Sequence, residues 1–322
     1  MRRIILGLCM LIAGVQANAM ELGKYGTFSF KKMQDNVYIM HGPVTSPNVE
    51  NEGFMNNPAI IEGKHGLIVI DPGGSYNVGK KVLAEIEKVS KKPILATINT
   101  HKHGDHWFAN KALLEKYPKL KIYAHANMIE AVRGGEAQKW YDILNGLTKN
   151  LKGTDHEFPY PNIALKDGDK IEIDGERFRV FHPAKAHTDT DLIILHENSR
   201  TLFLGDNVMK GRLGAFDASS SIYGNIETLE KLLKESDYKL YVPGHGPSGG
   251  RDETIMPYLT YLKTVAKWSK KAYDDDLEAY EVKPQARKEL KGYEQWDGIS
   301  YALGRHLQKA YDEVAMQDDD EE

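Results

Sequence analysis

The 322-residue chain has almost no cysteine: its one thiol, Cys9, lies in the opening apolar stretch. The remainder can therefore use no disulfide scaffold, thiolate metal ligand or cysteine nucleophile. A basic excess is absent too. The formal net charge is −4, and no stripe of Lys and Arg offers the electrostatic footprint of a nucleic-acid binder, so no nucleic-acid partner is expected. Internal repeats and long low-complexity stretches are missing. The one apolar run of note, Ile4 to Val15, is too short to span a bilayer. With Arg2-Arg3 before it and Ala17-Asn18-Ala19 after it, that run reads as a secretory signal over residues 1–19. Leu8, ahead of Cys9, is too large for a lipoprotein processing site. The expectation is an exported protein, periplasmic or secreted, whose mature form keeps no cysteine and no membrane span.

What is present is histidine in an unusual concentration. Thr100-His101-Lys102-His103-Gly104-Asp105-His106-Trp107 puts three imidazoles and a carboxylate directly after the apolar run Ile94 to Ile98. These are borderline-hard ligands suited to zinc and related divalent metals. A tight loop leaving a strand can aim all four side chains at one place, whereas a helix cannot. A helix is expected to begin near Trp107, with Asp105 or His106 at its cap.

Four further polar residues stand just past predicted strands. Asp71 follows Leu67–Ile70, His187 follows Phe178–Phe181 after a short turn, Asp206 follows Thr201–Leu204, and His245 follows Leu240–Val242. Each is flanked by small residues, and together they suggest one rim. Helical spacing predicts helices from about Val78 to Ser90, irregularly from Ala126 to Asn150, and from about Ile226 to Ser236. Trp140, Tyr141, Ile143 and Leu144 could line a cleft there, with packed core the stronger expectation. The loop Gly42 to Pro58, which carries apolar Phe54 and Met55, reads equally as a lid or as a surface hairpin. From about Asp252 to Gln317 the chain reads as helices broken near Pro284. They suit either a cover for the sheets or a dimer surface, and the oligomeric state is left open.

On these landmarks, from about Val37 to Gly250, the chain resembles the metallo-β-lactamase superfamily. The resemblance implies an α/β (α+β) fold, a four-layer αββα sandwich over residues 20–250. Residues 251–322 would form a C-terminal helical extension with an acidic tail. It implies that His101, His103 and His187 hold a first metal, that Asp105, His106 and His245 hold a second, and that Asp206 bridges them. Asp71 would brace the histidine loop by hydrogen bonds. The cofactor expected is two Zn2+ per chain, with Fe or Mn as substitutes.

Three imidazoles leave a position open for water, and a metal can bring a water pKa to about 7. Asp105 would orient that water as the catalytic carboxylate, for attack on a small-molecule acyl substrate. Asp206 separates the chain from the best-known dizinc β-lactamases, which place cysteine there, and moves it toward glyoxalase II-like and other exported members. The expected function is hydrolysis of an amide or β-lactam, lactone, ester or thioester. Two alternatives stay open: a mononuclear-iron oxidoreductase resembling persulfide dioxygenases, and a non-catalytic metal-binding module. His103 disfavours the flavodiiron kind, which has glutamate at that place.

Overall fold

Branched aliphatic runs bounded by glycine and aspartate turns become strands through the first two thirds of the chain. The computed structural model describes residues 19–154, 157–235 and 237–321, so the expected export segment, Ala19 apart, lies outside it. A short ribbon pairs β1 (Met20–Glu21) with β2 (Thr27–Phe28). A seven-stranded sheet then runs in sequential order. It comprises β3 (Lys31–Gln34), β4 (Val37–Ile39), β5 (Ala59–Glu62), β6 (Leu67–Ile70), β7 (Ile94–Ile98), β8 (Lys121–His125) and β9 (Ile163–Leu165). Pairing is antiparallel from β3 to β6 and parallel from β6 to β9.

The parallel crossovers carry helices, as parallel pairing requires. These are α1 (Tyr76–Val89), α2 (Gly104–Trp107), α3 (Asn110–Lys116), α4 (Ala126–Ala131) and α5 (Ala137–Thr148). The second sheet has five strands: β10 (Lys170–Ile173), β11 (Glu176–Phe181), β12 (Ile193–His196), β13 (Thr201–Met209) and β14 (Leu240–His245). Helix α6 (Ile222–Lys234) links β13 to β14, and α7 (Arg251–Asp274), α8 (Lys283–Glu289) and α9 (Ile299–Glu321) close the chain.

Side-chain alternation along the strands builds the layers. Ile61 and Ile68 of the first sheet point inward to meet Phe178, Val180, Ile194 and Val242 of the second. Their neighbours Ile60 and Val69 point outward, onto Val78, Val82 and Ile86 of α1. On the far side, Leu202 and Leu204 pack against Leu229 of α6, Tyr258 and Leu262 of α7, and Leu303 of α9. The result is the αββα sandwich, with the C-terminal helices forming much of its outer layer. Among the described residues no helix is long and apolar enough to cross a membrane.

Several local expectations are corrected. Asp206 and His245 do not follow their strands. They lie inside β13 and at the end of β14, because the parallel pairing continues through Gly205↔Pro243 and Met209↔His245 with register shifts. Glycine and proline there mark a bulge, not a strand end. The helix expected near Trp107 begins at Gly104, and neither Asp105 nor His106 caps it. His103 holds the N-cap position without a side-chain cap bond. The stretch expected as one irregular helix from Ala126 is two, separated by a wide turn over 132–136 in which Gly135 has φ 125°.

Phe178 is fully buried between the sheets. Truncation by Phe178→Ala should cost about 3–5 kcal/mol of folding stability. Urea unfolding checks this, and a loss below about 1 kcal/mol would contradict the inter-sheet placement.

Candidate metal centre

Four turns and strand segments and the short helix α2 converge where the two sheets meet at one edge. His101 and His103 leave β7 in the turn before α2, and Asp105 and His106 lie in α2. His187 comes from the turn before β12, Asp206 from the bulged part of β13, and His245 from the end of β14. The structure brings all of these together in two groups, His101–His103–His187–Asp206 and Asp105–His106–His245. Within each group the nearest ligating atoms lie within 4.8 Å of one another, and all of these residues are buried.

The separations suit cations. Nδ1 of His103 faces Nε2 of His187 at 3.0 Å, and Nε2 of His106 faces Nε2 of His245 at 3.3 Å. A tetrahedral site with Zn–N bonds of about 2.0–2.1 Å has ligand–ligand edges of about 3.3 Å. Buried Nε2 of His101 has no hydrogen-bond partner, as befits an atom reserved for a ligand. Asp206 stands between the groups. Its Oδ1 is 3.2 Å from His106 Nε2, and its Oδ2 is 3.2 Å from His245 Nε2 and 3.6 Å from His187 Nε2. Gly244 permits this approach, since a methyl group there would overlap Asp206 Oδ1.

Outer contacts fix the ring orientations. Asp71, held at φ 46°, accepts from Thr100 N at 2.9 Å and Thr100 Oγ1 at 2.6 Å. Its Oδ2 also lies 2.9 Å from His106 Nδ1, which donates to it and leaves Nε2 aimed at the cluster. Nδ1 of His245 does the same toward the Met55 carbonyl at 2.8 Å. Asp191 accepts from Thr188 N at 2.8 Å and Thr188 Oγ1 at 2.6 Å, pinning the turn that presents His187. Lys102 is directed to Asp189 (3.1 Å) and Ser219 (2.9 Å).

The electrostatics divide the imidazoles. Burial pushes His101 and His103 well below the ordinary histidine value, and neighbouring imidazoles push the same way. Burial takes His187 down to about 4. Burial works against charge on His106 as well, but Asp206, Asp105 and Asp71 outweigh it and hold that ring well above its ordinary value. Burial likewise opposes ionisation of Asp105 and Asp206, yet His106 and His245 hold both below the usual carboxylate range. Three neutral rings and two carboxylates are thus set for cations, while His106 keeps a proton that a cation must displace.

A cavity of about 530 Å3 opens onto His103, Asp105, His187 and Asp206. Sequence reasoning missed several of its walls. Trp140, for which core packing was the stronger expectation over a cleft wall, lines it and packs on His103 at an interplanar angle of 39° with ring centroids 4.1 Å apart. Arg212, Phe216 and, from α9, Tyr301, Arg305 and His306 line it too. The loop before β5 is a strap whose apolar Phe54 and Met55 are tucked inward, as in the hairpin alternative, with Met55 also on the cavity lining. Asn56 Nδ2 donates to the Asp71 carbonyl at 2.7 Å, and Asn57 Nδ2 reaches the Pro243 and Gly246 carbonyls at 2.9 and 2.7 Å. The other histidines with described partners lie outside both groups: His41 meets Ser248, His65 meets Asp174, His125 stacks on His182, His196 meets Glu176, and His306 meets Tyr261.

The sequence pattern of the metallo-beta-lactamase superfamily matches residues 51–245. A hydroxyacylglutathione hydrolase from Francisella tularensis subsp. novicida is 29% identical over 197 residues, which is 61% of this chain and 64% of that protein. The same enzyme from Francisella tularensis subsp. holarctica is 30% identical over the same shares. The chain thus spans just under two thirds of the length of these relatives. Among solved structures, a metallo-beta-lactamase from Pontibacter korlensis superposes with TM-score 0.56 at 18% identity, covering 74% of this chain and 99% of that one. A double mutant of a sec-alkyl sulfatase superposes with TM-score 0.68 at 16% identity, covering 90% of this chain and 50% of that one. At such identities the structural likeness shows the fold alone.

Two outcomes follow from the geometry. Asp71→Asn, which cannot hold the His106 tautomer, should weaken divalent-metal affinity by about 10–100-fold with folding retained. Competition with a chromogenic chelator reads it, and unchanged affinity would remove Asp71 from the site. Metal binding should release a proton from His106, so affinity should rise with pH below the raised pKa of that ring. Calorimetry in two buffers of different ionisation enthalpy measures the release, and heats independent of buffer would contradict it.

Proposed function

As the chain belongs to the metallo-beta-lactamase superfamily, we propose that it is a hydrolase that cuts an acyl bond with two divalent cations, zinc in first place and iron or manganese as substitutes. The bond is a thioester, ester, lactone or amide. The observation that carries this reading is Asp206, one buried carboxylate within 3.2 to 3.9 Å of His101, His187, His106 and His245 at the foot of a cavity. A mononuclear-iron oxidoreductase leaves Asp105, His106 and His245 without a task. A non-catalytic binding module leaves the cavity without one.

In this reading His101, His103 and His187 would hold one cation and Asp105, His106 and His245 the other, with the Asp206 carboxylate available to both groups. When bound, the pair supplies Lewis acidity at an acyl oxygen and brings the pKa of a water to about 7. Asp105 lines the cavity beside His106 and His245, so its carboxylate orients the attacking water. Asp71 and the Met55 carbonyl keep the His106 and His245 tautomers fixed through the reaction. The water oxygen joins the acyl carbon, the bond from that carbon to the leaving heteroatom breaks, and the heteroatom receives a proton. Acylglutathione is the first substrate to assay, because the similar curated proteins are named hydroxyacylglutathione hydrolases. Export to the periplasm or medium belongs to the same reading and is supported by Arg2-Arg3, the apolar run and Ala17-Asn18-Ala19.

Metal-loaded protein should turn over at least one of the four acyl classes. His103→Ala and Asp206→Ala should each lower kcat/KM by about a hundredfold or more, with circular dichroism unchanged. No turnover by the wild-type protein in any class, or full activity in Asp206→Ala with two metals retained, would sink the reading.

A further inference from the structure

The five clustered imidazoles are not all oriented in the same way. Three have the nitrogen that points away from the cluster answered by a hydrogen bond. Nδ1 of His106 meets Asp71 at 2.9 Å, and Nδ1 of His245 meets the Met55 carbonyl at 2.8 Å. Nδ1 of His101 meets Thr100 Oγ1 at 3.0 Å. That hydroxyl spends its own proton on Asp71, so it accepts from His101.

His103 and His187 differ. Nδ1 of His103 and Nε2 of His187 face each other at 3.0 Å on the cluster side. Their outer atoms, His103 Nε2 and His187 Nδ1, are closed off from solvent and have no hydrogen-bond partner. A ligating histidine ordinarily gives its outer N–H to a carboxylate, a carbonyl or water, and that bond sets the tautomer and the ring angle. No such bond restrains these two rings.

Each of them carries an aromatic side chain instead. Trp140 of α5 lies on His103 with centroids 4.1 Å apart and an interplanar angle of 39°, and Phe216 meets His187 edge to face at 5.9 Å. Both aromatics are backed. Trp140 packs against the cluster that holds Trp107, Met128 and Leu144. Phe216 meets the His306 ring at 4.9 Å, and His306 is fixed by the Tyr261 hydroxyl at 2.8 Å and the Gly214 carbonyl at 2.9 Å. A ring packed this closely cannot swing without overlap, and dispersion and edge-to-face attraction favour the packed angle. His103, His187, Trp140 and Phe216 all line the cavity, whereas His101, His106 and His245 do not. The division therefore follows the wall: inner ligand rings are held by hydrogen bonds, and cavity-facing ones by aromatic packing.

We propose that Trp140 and Phe216 are positioning residues of the metal centre, which hold His103 and His187 at the angle that presents Nδ1 and Nε2 to one cation. They stand in for the hydrogen bonds that orient the other three rings. The proposal rests on the metal-binding part of the hydrolase reading and on no choice of substrate.

The test titrates Co2+ into metal-free wild type, Trp140→Leu and Trp140→Phe. It reads the visible ligand-field bands of the bound ion and competition with a chromogenic chelator. Leucine fills the wall without a ring, and phenylalanine restores a ring without the indole N–H. Trp140→Leu should weaken one of the two Co2+ steps by about tenfold and shift the bands, with circular dichroism unchanged. Trp140→Phe should recover most of both, and Phe216→Leu should repeat the loss from the His187 side.

Bands and affinities in Trp140→Leu and Phe216→Leu that match wild type would overturn the proposal while the metal centre stood. Equal weakening of both steps would overturn it as well, because general loosening would then be the cause. So would a loss that Trp140→Phe fails to recover, since ring packing would not be its source. Wild type that binds no Co2+ would remove the metal centre itself, and this proposal with it.

Discussion

The structure depends on one electrostatic compromise: a buried carboxylate, Asp206, shared among four buried imidazoles. Taking several ionisable groups out of water together is costly unless each charge is answered. Burial neutralises His101, His103 and His187, while the carboxylates keep His106 charged and are themselves kept ionised by His106 and His245. No helix or strand alone could hold such a set, which explains why the ligands come from two turns, two strands and the short helix α2. The two sheets are rigid platforms that bring those turns to one edge.

The outer parts of the fold support that edge. The strap before β5 crosses both sheets' contributions, gripping the Asp71 carbonyl on one side and the Pro243 and Gly246 carbonyls on the other. It also supplies the Met55 carbonyl to His245. The C-terminal helices do more than cover the second sheet. Helix α9 places Tyr301, Arg305 and His306 on the cavity wall, so the part of the chain beyond the family's pattern shapes what can reach the histidine and aspartate cluster.

Much of the sandwich was legible in the sequence, because largely continuous apolar runs such as Leu67–Ile70 and Ile94–Ile98 are buried on both faces and punctuated by clear turns. The histidine loop was legible because its ligands are adjacent in the chain. Less legible was the extension of β13 and β14 through Gly205 and Pro243. There tertiary pairing overrides residues that locally break strands. Arg212 had no sequence signal, and Trp140 had only the general one that its helix could line a cleft. Neither sits in a motif, and each gains its position from contacts more than thirty residues away, with His245 and His103 respectively. Nor could spacing alone show that Met55 gives its carbonyl, not its side chain, to the cluster.

The central claim, two cations bridged by Asp206, is tested most directly by anomalous X-ray diffraction from crystals of the metal-loaded protein, recorded on either side of the zinc edge. The account predicts two anomalous peaks, one bounded by His101, His103 and His187 and the other by Asp105, His106 and His245, with Asp206 between them. A single peak at the three-histidine group, or none within reach of Asp206, would contradict it.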